Sequence, residues 1–324
     1  MASTRGATVE FRNVSKSYPG QLAVDQLSFT VPAGRICVLV GPSGSGKTTS
    51  LKMVNRLIEP GSGSILIDGQ DVLREDPTAL RRRIGYVIQQ VGLFPHQTIA
   101  ENVGTVPRLL GWQKERIATR TRELLALVGL EPSRFARRYP AQLSGGERQR
   151  VGVARALAAE PPVMLMDEPF GAVDPIVRER LQNEFLRIQR DQGTTVLFVT
   201  HDIDEAIKLG DRVAVMRSGK LVQFATPGEL LARPANDFVA EFVGSDRGLK
   251  RLGLLTVGGA ELDTTVDRKS APPNAPVLSP AMTLRDALAR MLVDEAQVGV
   301  VVDRDRYLGV LTLSTIGRMI RDDR

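Results

Sequence analysis

The chain has 324 residues, of which 42% are hydrophobic and 25% charged, and its formal net charge is +6 at pH 7. This composition is ordinary for a folded globular protein and argues against a disordered chain, and the length suggests two domains. No apolar run approaches the ~20 residues that cross a bilayer, and the first residues lack the apolar core of a secretory signal. A single cysteine, Cys37, excludes an intramolecular disulfide framework.

The positive charge is mild, with 43 Lys+Arg against 37 Asp+Glu. Spread over this length it is typical of a solvated surface, so we expect no nucleic-acid partner. One cysteine and two histidines are too few for a structural zinc site within one chain.

Taken in chain order, hydrophobic periodicity predicts strands that alternate with helices. The predicted elements are strands within 8–31, a buried strand over 35–40, a helix over 50–58, a helical segment over 98–160, a strand from 163, a helix over 176–190, a strand over 194–200 and a hairpin of 213–216 with 221–224. Such alternation favours an α/β fold with a parallel sheet covered by helices.

The character of the chain changes near residue 245. Four prolines fall within 270–280, which is typical of a linker or an irregular entry to a strand. Beyond them, a helical apolar face over 284–292 and two apolar strands predict a small β-α-β-β-α unit.

A glycine-rich loop lies between the predicted strand over 35–40 and the next helix. Its sequence GPSGSGKT fits the phosphate-binding pattern G-x-x-x-x-G-K-[ST], in which backbone N–H groups and the helix N-terminus face the phosphates. We expect Lys47 to reach the β- and γ-phosphates, Thr48 to bind Mg²⁺ and Thr49 to contact the α-phosphate. The candidate ATP-binding residues of the loop are Gly41, Pro42, Ser43, Gly44, Ser45, Gly46, Lys47, Thr48 and Thr49.

Two carboxylates end a later apolar strand, in the sequence MLMDEP over 164–169. We expect Asp167 to hold Mg²⁺, directly or through water. Glu168 would lie at the strand tip and polarise an attacking water.

The sequence LSGGERQR over 143–150, together with these two motifs, closely resembles the nucleotide-binding subunits of ATP-binding-cassette (ABC) transporters. The resemblance covers about residues 7–244. It implies a P-loop NTPase fold, with a RecA-like core, an antiparallel β subdomain and a helical subdomain.

The same resemblance assigns roles to four further residues. Tyr18 stands where the family stacks an aromatic ring on adenine, and Gln89 where a glutamine senses the γ-phosphate and Mg²⁺. His201 matches the switch histidine on the last core strand. Asp174 ends a loop, Gly171-Ala-Val-Asp, that resembles the segment crossing between two copies, although valine replaces the commoner leucine.

The signature residues Ser144, Gly145, Gly146 and Glu147 come just before or at a predicted helix start, which makes a second anion site. In the family this site lies far from the phosphate loop of its own chain. The resemblance therefore implies a head-to-tail dimer, in which each ATP lies between Lys47 of one copy and Ser144 of the other.

Longer stretches within 80–244 look most like the quaternary-amine subgroup of importers, for glycine betaine, carnitine or choline. Residues 91–103 resemble the segment that docks a membrane subunit. The resemblance implies separate permease subunits, an extracytoplasmic solute-binding protein acting indirectly, and a peripheral position on the cytoplasmic face of the membrane. Two alternatives stay open: an importer for another solute such as an amino acid, or a soluble ABC ATPase without a transport role.

Residues 276–324 resemble one cystathionine-β-synthase (CBS) repeat, so the expected domains are 7–244, a linker or degenerate repeat over 245–275, and this unit. Such repeats usually work in pairs, and Thr315 replaces the family's ribose-binding acid. The unit could be a dimerisation cap or a regulator of response to ionic strength. The charges considered for regulation are Arg304, Asp305, Arg306, Arg318 and Arg321.

Overall fold

A computed structural model of the chain describes residues 6–89, 92–171 and 173–321. Four predictions fall partly outside these residues: Ala172 of the crossing loop, Val91 at the start of the docking segment, the side chain of Arg321, and residues 322–324 of the CBS-like unit. The chain forms two compact units, Met1–Thr226 and Pro227–Arg324.

The strands of the first unit carry its two sheets. They are β1 (Val9–Tyr18), β2 (Gln21–Val31), β3 (Ile36–Val40), β4 (Ser62–Ile67), β5 (Gln70–Asp71), β6 (Ile84–Val87), β7 (Val163–Asp167), β8 (Thr195–Thr200), β9 (Arg212–Arg217) and β10 (Lys220–Ala225). The first sheet is antiparallel, with the order β2-β1-β4-β5. The second has the order β10-β9-β3-β8-β7-β6, and its pairs are parallel except β9 with β10.

The helices of the first unit follow the predicted alternation. They are α1 (Lys47–Val54), α2 (Pro77–Arg83), α3 (Ile99–Val103), α4 (Thr105–Leu109), α5 (Lys114–Leu127), α6 (Pro132–Phe135), α7 (Gly145–Leu157), α8 (Pro175–Gln192) and α9 (Ile203–Leu209). Helices α3 to α7 form the predicted helical segment, and an η turn precedes α7. This arrangement confirms the expected mixed fold: a parallel sheet, an antiparallel sheet and a helical segment.

Strands β3, β7 and β8 are buried at every position. A strand covered on both faces needs apolar residues throughout, which explains why these segments read as continuous apolar runs. In the sheet order β8 lies between β3 and β7. Since parallel strands end at one edge, the loop after β3, the carboxylates after β7 and His201 after β8 all meet there.

One detail of this arrangement differs from the sequence prediction. We expected His201 on the last core strand, but β9 and β10 follow β8 in the chain and join the sheet on the far side of β3. His201 follows an inner strand, because β8 lies between β3, which leads into the phosphate loop, and β7, which leads into Glu168. The hairpin that adds these two strands was predicted, but its place in the sheet depends on pairing with β3, which local sequence does not encode.

The second unit contains three strands and several helices in its described residues. They are α10 (Pro227–Ala232), α11 (Asp237–Val243), α12 (Arg247–Leu252), β11 (Val277–Leu278), α13 (Leu284–Val293), β12 (Val298–Asp303), β13 (Arg306–Thr312) and α14 (Leu313–Arg321). From β11 onward the order is the predicted β-α-β-β-α, and the sheet order is β11-β12-β13.

The boundary between the two compact units precedes residue 244, where the sequence predicts that the ATP-binding domain ends. The second unit begins at Pro227. Within it, Leu252 and Val257, which the sequence placed in a linker or degenerate repeat, are fully buried in the same core as Leu278 and Leu311. Leu252 ends helix α12 and Val257 begins a 3-10 turn, so a segment expected to be a linker or degenerate repeat contributes apolar side chains to this core.

Candidate nucleotide-binding site

The loop after β3 has a backbone that requires glycine at two positions. Gly41 and Gly46 have φ angles of 152° and 98°. A Cβ atom would lie 2.1 Å from the Met216 carbonyl oxygen at Gly41 and 2.5 Å from the Ala23 carbonyl oxygen at Gly46. These contacts are too short for any side chain, so the loop can curl against its neighbours only with glycine there.

Lys47, the first residue of α1, turns its side chain back into this loop and is 7% exposed. Its Nζ donates hydrogen bonds to the carbonyl oxygens of Gly41 (2.7 Å) and Pro42 (2.9 Å) and lies 3.3 Å from Ser45 Oγ. Burial lowers the pKa of Lys47, and the nearby carboxylates of Glu168 and Asp167 oppose that shift. The ammonium group is thus surrounded by oxygens that a phosphate could replace.

An open cavity of about 250 Å³ lies beside the loop. Its lining residues are Tyr18, Gln21, Ala23, Gly44, Ser45, Gly46, Lys47, Thr48 and Thr49. Of the other predicted loop residues, Gly41 and Pro42 contact Lys47, and Ser43 is exposed. The structure therefore brings the phosphate loop and the predicted adenine-stacking residue to one cavity.

Tyr18 lies at the end of β1, 42% exposed, with Lys16 Nζ 5.6 Å from its ring centroid. No sequence motif pointed to the neighbouring cavity residues Gln21 and Ala23. Gln21 pairs with Tyr18 across the β1–β2 turn, so a hairpin register drawn through Pro19-Gly20 could have found it.

The two residues predicted to bind Mg²⁺ through oxygen contact each other. Thr48 Oγ1 donates a 2.9 Å hydrogen bond to Asp167 Oδ1, and Asp167 is 3% exposed. Burial raises the pKa of Asp167, and the Thr48 hydrogen bond acts in the opposite direction. A buried carboxylate beside a hydroxyl is a donor set that fits a hard cation such as Mg²⁺.

The described residues contain no group of three or more His, Cys, Asp or Glu side chains that could hold a metal by themselves.

Glu168 brings together the other two candidate catalytic residues. Its Oε2 accepts a 3.2 Å hydrogen bond from Gln89 Nε2, and its Oε1 lies 3.0 Å from His201 Nδ1. The side chain of Glu168 is 24% exposed and that of His201 64%. The carboxylate is therefore held from two sides while water can still reach it, which is the arrangement that a general base needs. Gln89 contacts Glu168 here, whereas the sequence also assigned it to Mg²⁺.

The signature residues form a capped helix start outside this cavity. Ser144 is the N-cap of α7: its Oγ accepts from the Glu147 N–H (3.3 Å), and Glu147 Oε2 accepts from the Ser144 N–H (2.7 Å). The hydrogen bond from the Ser144 backbone is the main cause that lowers the pKa of Glu147. Gly145 and Gly146 form the first turn. The structure does not bring this group to the chain's own phosphate loop cavity.

Asp174 is also a helix cap. Its Oδ1 accepts from the backbone N–H groups of Ile176 (3.0 Å) and Val177 (3.4 Å) at the start of α8. The side chain of Ile176 beside it is 85% exposed.

A glycine loop between a parallel strand and a helix, with an acidic pair at the end of a neighbouring strand, defines a P-loop nucleotide-binding protein. Comparison with known proteins gives the family. Residues 24–171 match the model of the ABC transporter family. The osmoprotectant import ATP-binding protein OsmV of Salmonella typhimurium is 56% identical over 271 residues, which are 82% of this chain and 71% of that protein.

Two further relatives extend the match. The glycine betaine/carnitine/choline transport ATP-binding protein OpuCA of Bacillus subtilis is 55% identical over 74% of this chain and 63% of its own length. The glycine betaine uptake system ATP-binding protein YehX of Escherichia coli is 48% identical over 91% of this chain and 94% of its own length. The chain therefore belongs to the ATP-binding proteins of the ABC transporter family, as the signature predicted.

The chain is also similar to a solved structure, with a TM-score of 0.63 and 35% sequence identity. That structure is the dimeric post-hydrolysis state of the ATP-binding cassette MJ0796 bound to ADP and Pi. The match covers 68% of this chain and 98% of that one. Among the residues described, none of the helices has both the length and the apolar character needed to span a membrane.

Proposed function

We propose that this chain hydrolyses ATP to drive uptake of a compatible solute of the quaternary-amine group, namely glycine betaine, carnitine, choline or the related solute proline, through separate membrane subunits. The observation that carries the proposal is the similarity to an ATP-binding protein of a glycine betaine uptake system along nearly the whole of both chains. Other relatives are named for osmoprotectant, choline and carnitine transport.

In this proposal the cavity beside the loop takes ATP. The ring of Tyr18 stacks on adenine, and the backbone N–H groups of 41–49 bind the phosphates. Lys47 exchanges the carbonyl oxygens of Gly41 and Pro42 for β- and γ-phosphate oxygens. The exchange is a short movement because Nζ already lies inside the loop.

Thr48, Asp167 and Gln89 would hold Mg²⁺, which enters with ATP and neutralises charge on the phosphates. The carboxylate of Glu168 orients a water and accepts its proton. Gln89 and His201 fix the two oxygens of that carboxylate, which is supported by their distances of 3.2 Å and 3.0 Å.

A second copy of the chain completes each site. Ser144, Gly145 and Gly146 of that copy would bind the γ-phosphate with a hydroxyl and N–H groups, and Asp174 would contact the partner across the interface. Two observations support this: the signature helix start is built but lies outside its own chain's cavity, and the similar solved cassette is a dimer. Glu147 acts locally, by fixing the Ser144 end of α7.

The segment after Gln89 would dock the permease, placing the chain peripherally on the cytoplasmic face of the membrane, with a solute-binding protein on the other side. The described part of this segment is folded around one buried side chain and exposes an aromatic ring. Buried Asn102 donates to the carbonyl oxygens of Phe94 (3.1 Å), Gln97 (3.2 Å) and Thr98 (3.0 Å), and Phe94 is 41% exposed.

We further propose that 7–244 forms the ATP-binding domain and that 276–324 is a CBS-like unit, preceded by a degenerate repeat or linker over 245–275. The β-α-β-β-α order from β11 onward supports this. The unit would either regulate transport or hold two copies together.

Uptake by the complete complex tests the function. The chain, its permease and its binding protein are reconstituted in vesicles loaded with ATP, and radiolabelled glycine betaine, carnitine, choline and an amino acid are offered in turn. We expect ATP-dependent accumulation of a quaternary amine, abolished by Lys47→Ala. Accumulation of the amino acid alone would assign the chain to another importer, and a chain that joins no membrane complex would refute a transport role.

A further inference from the structure

Glu168 has a backbone conformation that is rare for a residue with a side chain. Its φ angle is 47°, in the left-handed region, and it directly follows β7. A Cβ atom crowds the neighbouring carbonyl oxygen in this region, so the conformation persists only where surrounding contacts hold it. The contacts around the Glu168 backbone therefore bear on where its carboxylate points.

Three hydrogen bonds hold this backbone. The Glu168 N–H donates to the Val199 carbonyl oxygen of β8 (2.9 Å), and the Glu168 carbonyl oxygen accepts from the Gly171 N–H (3.2 Å). The same oxygen accepts a shorter bond, of 2.8 Å, from Nε2 of Gln149. Gln149 contributes the one bond of the three that comes from a side chain.

Gln149 belongs to the signature helix α7 and is 3% exposed. Its amide is shielded from water, so the bond to Glu168 is not in competition with solvent. The carbonyl it contacts belongs to the peptide that follows Glu168. Holding that oxygen fixes the orientation of the peptide plane, and with it the direction of the Cα–Cβ bond.

That direction decides whether the carboxylate lies between its partners. Glu168 Oε2 meets Gln89 at 3.2 Å and Oε1 meets His201 at 3.0 Å. A rotation of the backbone at this position would move the whole side chain relative to Gln89 and His201, which follow other strands. Misplacement of a catalytic group by about 1 Å is enough to cost about a hundredfold in rate.

We propose that Gln149 is a positioning residue for ATP hydrolysis, which holds the left-handed backbone of Glu168 and so aims its carboxylate. This rests on the proposed function, in which Glu168 acts on water. Gln149 lies on the helix that begins at Ser144, so the helix expected to meet the partner's ATP also holds the base of its own chain's site. A glutamine at position 149 is not required by the phosphate loop or by the acidic pair, and it is not required by the capping of α7.

The test compares two buried glutamines in the reconstituted complex. Gln149→Met removes the amide and keeps the size of the side chain. The matched control is Gln189→Met: Gln189 is 5% exposed and its Nε2 donates 2.8 Å bonds to the carbonyl oxygens of Gly34 and Thr194. We expect Gln149→Met to lower kcat by about 10- to 100-fold with KM for ATP unchanged, and Gln189→Met to leave kcat near the wild-type value. If the two substitutions lower kcat by the same factor, the proposal is overturned.

A second variant tests whether the fall in kcat of Gln149→Met is only a consequence of misfolding. Gln149→Glu nearly preserves shape, but a carboxylate cannot donate to the Glu168 carbonyl, whereas a protonated carboxyl group can. Burial favours the protonated form. We therefore expect kcat relative to wild type to recover as pH is lowered, and a ratio independent of pH would contradict the inference.

Glu168→Gln distinguishes failure of the proposed function from failure of the role proposed for Gln149. Hydrolysis at the wild-type rate in this variant would refute the proposed base, and with it the reason for Gln149. If Glu168→Gln is inactive and Gln149→Met behaves like Gln189→Met, the inference alone fails. ATP-dependent dimer formation by Glu168→Gln combined with Gln149→Met should match that of Glu168→Gln, because the proposed role of Gln149 is in aiming the base.

Discussion

The hydroxyl of Thr48 and the carboxylate of Asp167 are joined by a 2.9 Å hydrogen bond across 119 positions of sequence. Thr48 lies in the first turn of α1, after β3, and Asp167 ends β7, with β8 between the two strands. The bond thus spans the inner strand of the sheet at the edge where ATP is proposed to bind. It also keeps together the two oxygens that are proposed to bind Mg²⁺.

Thr48→Val tests this pair. Valine keeps the branched shape but removes the hydroxyl, leaving the buried Asp167 carboxylate without that donor. We expect Mg²⁺-dependent hydrolysis to fall about a hundredfold and the free energy of unfolding to fall by about 1–3 kcal/mol. Hydrolysis is measured against Mg²⁺ concentration, and stability by denaturant unfolding.

Thr48→Ser is the matched control for that substitution. Serine keeps the hydroxyl, so activity should stay near the wild-type value. If Thr48→Ser loses as much activity as Thr48→Val, the methyl group rather than the oxygen is what the site needs.

Glu168→Gln should separate ATP binding from turnover. The amide keeps the size of the side chain and can still contact Gln89, but it cannot take a proton from water. We expect ATP affinity near the wild-type value, almost no hydrolysis and an ATP-dependent dimer that persists. Nucleotide binding, phosphate release and size-exclusion chromatography give the three readouts, and a normal rate of phosphate release would contradict the assignment.

The residues that touch ATP in the proposal were predictable because they belong to short contiguous patterns. The loop over 41–49 reads directly from glycine spacing, and MLMDEP ends an apolar strand. The relation between them was not predictable from local pattern, since it depends on β8 lying between β3 and β7. The resemblance placed His201 on the last core strand, whereas β9 and β10 follow β8 in the chain, and β8 itself is an inner strand between β3 and β7.

Residues that act through backbone contacts gave no sequence signal. Gln149 stands within the signature stretch but its bond to Glu168 crosses between elements. Likewise Leu252 ends the short helix α12 and Val257 begins a single 3-10 turn after it, and only the packed structure shows both in a core. Periodicity reports which side of one element is apolar, and it does not report which side chain meets which backbone.

Stability contributed by Glu147 should depend on pH. Its pKa in the folded chain lies below the ordinary value of 4.5, mainly because the carboxylate accepts the Ser144 N–H. A lowered pKa contributes stability that is present above the unfolded value and lost as pH falls through the folded one. Glu147→Ala should therefore lower the free energy of unfolding by about 1 kcal/mol at pH 7, and the difference from wild type should shrink below a pH of about 4.5.

Glu147→Gln controls for the loss of the side chain itself. Glutamine can also accept at this position of a capping box, but it does not titrate. At pH 7 the free energy of unfolding of Glu147→Gln should lie between those of wild type and Glu147→Ala. The side chain at position 147 should then add no pH dependence to that free energy. Parallel stability curves for wild type and Glu147→Ala from pH 7 to 3 would show that the capping carboxylate contributes nothing.

Truncation should be tolerated at the boundary between units and not within the second unit. Leu252 and Val257 share a core with Leu278 and Leu284. A chain ending at residue 269 lacks those partners, so both side chains become exposed to water. The loss of buried apolar surface costs about 1.5–3 kcal/mol of stabilisation for each side chain. We expect that chain to aggregate, whereas one ending at Thr226 should keep nucleotide affinity, since every residue lining the described cavity precedes it.

Soluble yield, thermal unfolding and binding of an ATP analogue distinguish the two truncated chains. A chain ending at residue 269 that is as soluble and as stable as the full chain would show that Leu252 and Val257 need nothing from the later residues. The comparison also decides how regulation should be tested. Removing 270–324 alone would combine any loss of salt response with an exposed apolar core, whereas removing the whole second unit would not leave half of that core behind.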